Sequence, residues 1–388
     1  MKKSKLLCVY EANMPTVSIV RETIGIISEY GNIEYLFRNI REVNKKDVDE
    51  ADIVMLIRPS DVMTVSLEAS IKGSGRLILV YFDDDLLNIY SKAENPLIHG
   101  YLKKALKMAD VVVSPNYRLA KKLAAEHHIG RAVQMDTIVD RIYCKPSDKS
   151  DNERVKFVYA AGCFHGVFFE EIVLPALREI DGTYGDRIQI DFIGVHPRIS
   201  EDIKNIRFRY CDTMPLEKYR KYVSAQRYEY GFALLHDNSF MNHKYYNKYI
   251  EYSILGICGI YSNLEPYRQV VRDGCNGYMV DEGTESWSKA IIRAVVDRKQ
   301  SESMVEAAQK DLLERQSEEN IWKKLSENIP EMITGCKKKE IKVKSNRLRH
   351  YRDRVIYVGL VSKAVLEAEG LSGLRKKVCN YIVQRKAY

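Results

Sequence analysis

Lys244, Lys248 and Glu251 stand four and three positions apart early in the chain's second half. In a helix that spacing puts two ammonium groups and one carboxylate on one face. The ammonium groups suit a diphosphate, and a carboxylate that accepts two hydrogen bonds suits the diol of a ribose. Gly256 stops the expected helix, the apolar run Cys258 to Tyr261 reads as a strand, and the polar loop at Asn263, Leu264 and Glu265 opens a further helix. Unpaired backbone amides at such a helix start, with the positive end of its dipole, suit a phosphate.

Other chemistry-bearing residues sit at strand ends. His165 lies in AAGCFHG (160–166), a turn from a strand through Gly162 into a helix, where it can donate to a diphosphate or a sugar or merely cap the helix. Asp83, Asp84 and Asp85 follow an apolar strand. Three carboxylates there suggest Mg²⁺ or Mn²⁺, although a helix cap is an equally good reading for one of them. Arg58 ends another strand and could bind an anionic acceptor, or pair with Asp61 or the acidic run.

The elements that must position these residues alternate. In the first half, strand signals at 5–10, 51–57, 76–82 and 110–115 are separated by helical stretches at 17–30, 62–72, 96–108 and 117–126. Apolar strands alternating with helices predict a parallel sheet covered on both faces. The polar stretch 146–154, PSDKSDNER, reads as a linker, and the pattern then restarts with strands at 155–162, 188–194 and 229–235 and helices at 169–180 and 216–225. Helices at 286–300 and 303–325, the latter carrying Trp322, would close this half. The expectation is an α/β chain of two doubly wound, Rossmann-like domains, 1–150 and 151–335, with a basic, helical C-terminal extension, 336–388. Ligands in such sheets bind beyond the carboxyl ends of the strands, which places Glu11, Arg58, Asp83, Asp84, Asp85 and Ser114 on the functional edge of the first domain.

The segment around Glu251 resembles the C-terminal half of nucleotide-sugar-dependent glycosyltransferases of GT-B fold, in particular the large retaining family four, the glycosyl transferases group 1 of polysaccharide biosynthesis. Glu251, Tyr252, Gly256, Ser262, Pro266, Tyr267, Asp273, Gly274, Asn276 and Gly277 fall where that family's pattern puts them. The resemblance implies two domains facing a cleft, with Glu251, Gly162, Asn263, Leu264 and Glu265 binding the donor. His165, Lys244 and Lys248 would act catalytically on its diphosphate, while Arg58 and the run Asp83 to Asp85 would line the acceptor side. It also implies transfer from a nucleotide-diphosphate sugar to a glycan or lipid-linked acceptor, with retention, no cofactor and no divalent metal. The chain departs from the pattern in two places. His243 stands where the first of two glutamates would be, and no lysine or arginine lies between Gly162 and Glu170. Those departures keep open the reading of an inactive nucleotide-binding partner subunit, and a sugar-nucleotide epimerase of the same two-domain shape is a further alternative. A nicotinamide enzyme is disfavoured because no strand runs into G-x-G-x-x-G.

Composition sets the remaining bounds. A chain of 388 residues with 45% hydrophobic and 29% charged residues can bury a proper core. Eight scattered cysteines, the nearest two seventeen apart, argue for a reducing compartment and against a zinc site. The expected location is cytoplasmic, since the apolar run near the start ends at Tyr10. Of the Lys/Arg, fifteen fall in 337–388 against four Asp/Glu, leaving 46 against 49 in the first 336 residues. A basic tail on a nearly neutral body fits an anionic membrane surface at the inner leaflet, or packing on the first domain or on a partner subunit. Its aromatics form no stacking platform, so nucleic acid is not expected.

Overall fold

The computed structural model describes residues 3–139, 141–145, 154–162, 165–339, 341, 359 and 362. All but the last residue of the expected linker at 146–154, and most of the basic tail, lie outside the described residues. Among the described residues twelve strands form two six-stranded sheets in which every named pair is parallel.

The first unit comprises 1–135 and 322–388. Its strands are β1 Lys5–Tyr10, β2 Glu34–Asn39, β3 Ile53–Ile57, β4 Leu77–Tyr81, β5 Val111–Ser114 and β6 Arg131–Gln134, ordered β2-β1-β3-β4-β5-β6. Helices cover both faces, so the central strands IVMLI, LILVY and VVVS are buried at every position, as a doubly wound sheet requires. Strand order reverses between β1 and β3, and Glu11 and Arg58 follow the carboxyl ends of those two strands.

The chain returns to this unit late. Trp322 lies against the end of the helix Pro15–Gly31, where a Cβ on Gly31 would come within 2.4 Å of its ring. Beyond it, Lys339 N donates to Ser74 O at 2.7 Å, Arg76 Nη1 donates to Lys339 O at 2.7 Å, and Lys338 pairs with Asp52 at 3.0 Å. The compact units therefore divide at 135/136 and 321/322, where the sequence reading put boundaries at 150/151 and 335/336. The returning segment buries Leu325, Ile329 and Met332 like any core helix, so it leaves no break in composition to read.

The second unit is 136–321. Its strands are β7 Val155–Ala160, β8 Ile188–Ile193, β9 Arg207–Cys211, β10 Tyr230–Ala233, β11 Cys258–Ser262 and β12 Tyr278–Val280, ordered β12-β11-β10-β7-β8-β9. Alternate residues feed two cores: Phe157, Tyr159, Ile190, Phe192 and Phe232 on one face, Val158, Ala160, Ile193 and Ala233 on the other. Order reverses between β7 and β10, the switch point where open α/β sheets bind ligands. The helix expected over 303–325 is two, Gln300–Arg315 and Glu318–Asn328. The helix expected from 169 begins with a π turn, Phe169–Val173, before Leu174–Tyr184.

Glu68 in the first unit is expected to make stability depend on pH. Glu68, on the helix Val62–Ile71, is fully buried, and neither carboxylate oxygen has a hydrogen-bond partner among the described residues. Burial pushes its pKa up to about 9. An acid raised above its unfolded value of about 4.3 holds a proton in the native state that the unfolded chain has released, so stability falls as pH rises between those values. Urea midpoints for wild type and Glu68→Gln should therefore diverge from about pH 5 to about pH 8, with wild type losing roughly 2–4 kcal/mol relative to the variant. Parallel curves would mean that Glu68 titrates normally.

Candidate functional site

The second sheet presents its carboxyl edge to a cavity of 370 Å³. The ends of β7, β8 and β10 supply its floor through Tyr159 to Gly162, Ile193, Gly194 and Phe232 to Leu235. His165, Tyr219, Lys244 and Lys248 bring polar groups to it. A larger concavity of 830 Å³ opens at the amino ends of β7 and β8, but Arg154 and Arg187 there are engaged with backbone carbonyls and it lies away from the switch point.

The helix that positions the charged pair is Asn247–Ile254. It buries Tyr249, Tyr252, Ser253 and Ile254 and leaves Lys248 and Glu251 about one quarter exposed, at 25% and 26%. One helical turn apart, the two bond directly, Lys248 Nζ to Glu251 Oε1 at 2.7 Å. Lys248 also lies 5.4 Å above the Tyr252 ring.

Lys244 is not on this helix. It succeeds the short 3₁₀ turn Met241–His243 in extended backbone, φ −70° and ψ 157°. The reason is tertiary: the hydroxyls of Tyr245 and Tyr246 both donate to the buried Asp136, at 3.0 and 2.9 Å, and Gln316 donates to Tyr245. Lys244 still reaches the cavity, so both lysines line it from different elements.

His165 is half-buried on the cavity wall, stacked on Phe168 at 5.0 Å. Burial first, then the charges of Lys244 and Lys248, hold its pKa below the ordinary imidazole value. A neutral imidazole can donate one hydrogen bond to a ligand without adding charge. Gly162 also lines the cavity, and a Cβ there would meet open space.

The loop after β11 differs from the expected anion cradle. The amides of Asn263 and Leu264 donate to Val280 O at 2.8 Å and Ser262 O at 2.7 Å. The side chain of Asn263 bonds to Asp281 and Arg268, and Glu265 accepts from Gln269 at 2.7 Å. The loop leads into a three-residue 3₁₀ turn, Tyr267–Gln269, too short to present a helix dipole. Asn263, Leu264 and Glu265 do not line the cavity, and neither does Glu251, although Glu251 is bonded to two residues that do. Sequence reasoning missed Tyr219, Thr213 and Met214, which the strand and helix at 207–226 bring to the rim.

In the first unit Asp83 and Asp85 part to different partners. Asp83 accepts from Thr16 at 2.5 Å and lies 3.5 Å from Arg58 Nε. Asp85 is buried, pairs with Lys122 at 2.7 Å and caps the turn Leu86–Ile89 through Asn88 N. Among the described residues no three His, Cys, Asp or Glu side chains come together as a metal site. Arg58 holds a left-handed backbone, φ 51°, uncommon for a side-chain-bearing residue. Glu11 accepts from the amides of Ser60 and Asp61 at 2.6 and 3.0 Å, and burial with the nearby Asp61 charge raises its pKa to about 7. No helix among the described residues is long and apolar enough to cross a membrane.

No family model matches the chain, and no curated protein matches it in sequence. Solved structures do match in shape. Anabaena HepE in complex with UDP-glucose superposes with a TM-score of 0.57 at 11% identity, covering 84% of this chain and 99% of its own. A glycosyltransferase from Rickettsia africae gives 0.55 at 14% identity over 86% and 99%. Sucrose-phosphate synthase from Thermosynechococcus elongatus gives 0.55 at 10% identity over 86% and 100%. With two doubly wound six-stranded sheets and near-complete coverage of these chains, the protein has the GT-B fold.

Proposed function

We propose that the protein is a glycosyltransferase that moves a sugar from a nucleotide-diphosphate donor to a glycan or lipid-linked glycan acceptor, with retention at the anomeric carbon. The observation that carries this reading is the cavity at the switch point of the second sheet, where Lys244, Lys248 and His165 converge beside Glu251. Two ammonium groups and a neutral imidazole suit a diphosphate leaving group, whose charge grows as the glycosidic bond breaks. Glu251 suits the ribose hydroxyls. HepE, similar in fold, was solved with UDP-glucose, which supports a uridine donor. The reaction needs no bound metal in this reading, because Asp83 and Asp85 are already paired with Arg58 and Lys122. The basic segment after Lys337 fits an acceptor held at an anionic membrane surface.

A second reading has an observation of its own. His243, in place of the family's first glutamate, has its ring nitrogen 2.6 Å from Ser239 O and does not line the cavity, which suits a protein that binds a donor without turning it over. Thermal melts with UDP, GDP, ADP and their common sugar conjugates test both. A ligand at a hundredfold excess over Kd adds about 2.7 kcal/mol and should raise the melting temperature by several degrees. A shift with one base, followed by EDTA-insensitive release of that nucleotide in the presence of acceptor, is the expected result. A shift without turnover on any acceptor would favour the partner subunit, and silence from every nucleotide on folded protein would refute donor binding.

A further inference from the structure

The carboxylate of Glu251 is held by one oxygen. Its Oε1 accepts from Lys248 Nζ at 2.7 Å and from the Tyr219 hydroxyl at 2.5 Å, while Oε2 takes no hydrogen bond among the described residues. Tyr219 comes from a different element, the helix Leu216–Gln226, and lines the same cavity while remaining only 9% exposed. Burial first and then the charge of Glu251 push its phenol far above the usual range, so it stays a donor at any working pH. With both lone-pair directions of Oε1 taken, the plane of the carboxylate is fixed and Oε2 keeps its full acceptor capacity.

We infer that Tyr219 is a positioning residue that sets the Glu251 carboxylate so that Oε2 accepts the two hydroxyls of a ribose diol, and that this pair makes the site selective for ribonucleotides over deoxyribonucleotides. The inference rests on the donor-site reading above and names what that site discriminates. The terminal torsion of a glutamate is broad. Lys248 alone would let the carboxylate rotate with its own flexible stem, and the ammonium would be drawn away from a diphosphate. The phenol of Tyr219, itself buried although most of its helix is not, adds the second donor that fixes the carboxylate. Charge-assisted hydrogen bonds to a carboxylate contribute enough for at least a tenfold preference for the hydroxylated sugar.

The test is equilibrium binding of UDP and 2′-deoxy-UDP, or the GDP or ADP pair if the melts select that base, to wild type, Tyr219→Phe and Glu251→Ala. Wild type is expected to favour the ribonucleotide tenfold or more. Tyr219→Phe is expected to lose most of that preference while binding the deoxynucleotide within about twofold of wild type, which also shows that it is folded. Glu251→Ala should show no preference. A Tyr219→Phe protein that keeps the wild-type ratio, beside a Glu251→Ala protein that has lost it, overturns the role of Tyr219 and leaves the donor site standing. Equal binding of both sugars by wild type, or none of either, removes the ribose-binding role of Glu251 and this inference with it.

Discussion

Glu251→Ala is expected to weaken nucleoside diphosphate binding by about ten- to a hundredfold, measured by calorimetry at one ionic strength, with little change in melting temperature in the absence of ligand. The size comes from the hydrogen bonds that the carboxylate offers a ligand. Each one between a hydroxyl and a charged acceptor contributes roughly 1.5–3 kcal/mol, and tenfold in affinity is about 1.4 kcal/mol. The small effect on the free protein reflects exposure. Glu251 and Lys248 are each about one quarter exposed at 26% and 25%, and a solvated pair on a helix surface contributes little. Tyr219 loses an acceptor but sits on the cavity, where water can replace it. The variant also frees Lys248 for the diphosphate, which should offset part of the loss for the diphosphate and none of it for the nucleoside. Comparing UDP with uridine isolates that offset. A variant that binds UDP as tightly as wild type would show that Glu251 merely anchors Lys248.

The strands that the sequence announced are the interior ones, and the four it hid are the four edges. β2, β6, β9 and β12 close the two sheets. EYLFRN is exposed or half-buried along its whole length and RFRYC likewise has no buried position, because one flank of each faces water and charge there discourages edge-to-edge pairing. YMV has only three residues, too few to show a period. Interior strands such as VVVS, buried throughout, leave a continuous apolar run that needs no partner to be recognised. The site divides in the same way. Lys248 and Glu251 were legible because they share one helix. Lys244 was misplaced because the force that keeps its neighbours off the helix comes from Asp136, 109 positions from Tyr245. Tyr219 left no local signal either: it meets Glu251 across 32 positions, and nothing around it marks which tyrosine of its helix would do so. The amide at Asn263 looked free only because the sequence does not reveal that β12 runs beside it, while that at Leu264 turns back onto Ser262 O.

The largest structural effect is expected from Gly231→Ala, at the middle of the second sheet. A methyl group there would lie 2.6–2.8 Å from three ring atoms of Tyr252. That ring cannot step aside, since it is fully buried and its hydroxyl donates to Phe232 O at 2.7 Å. The neighbouring strand repeats the device. Gly259 pairs in register with Gly231, and its missing Cβ leaves room for the Tyr261 ring. Two adjacent glycines thus make a bare strip of sheet on which two tyrosines lie, 6.5 Å apart. Overpacking of this kind costs about 1–3 kcal/mol, and with both ends of the ring held the upper part of that range applies. For a unit of this size the melting temperature should fall by about 5–10 °C. Tyr252 also adjoins Glu251 on the same helix and carries Lys248 over its face, so the displacement reaches the cavity and nucleotide affinity should fall with stability. Combining Gly231→Ala with Tyr252→Leu removes the clashing ring, and the double variant should be more stable than the sum of the two single losses predicts. Strict additivity, or a Gly231→Ala protein that melts with wild type, would mean that the ring has room to move and that the glycine strip does not set the helix.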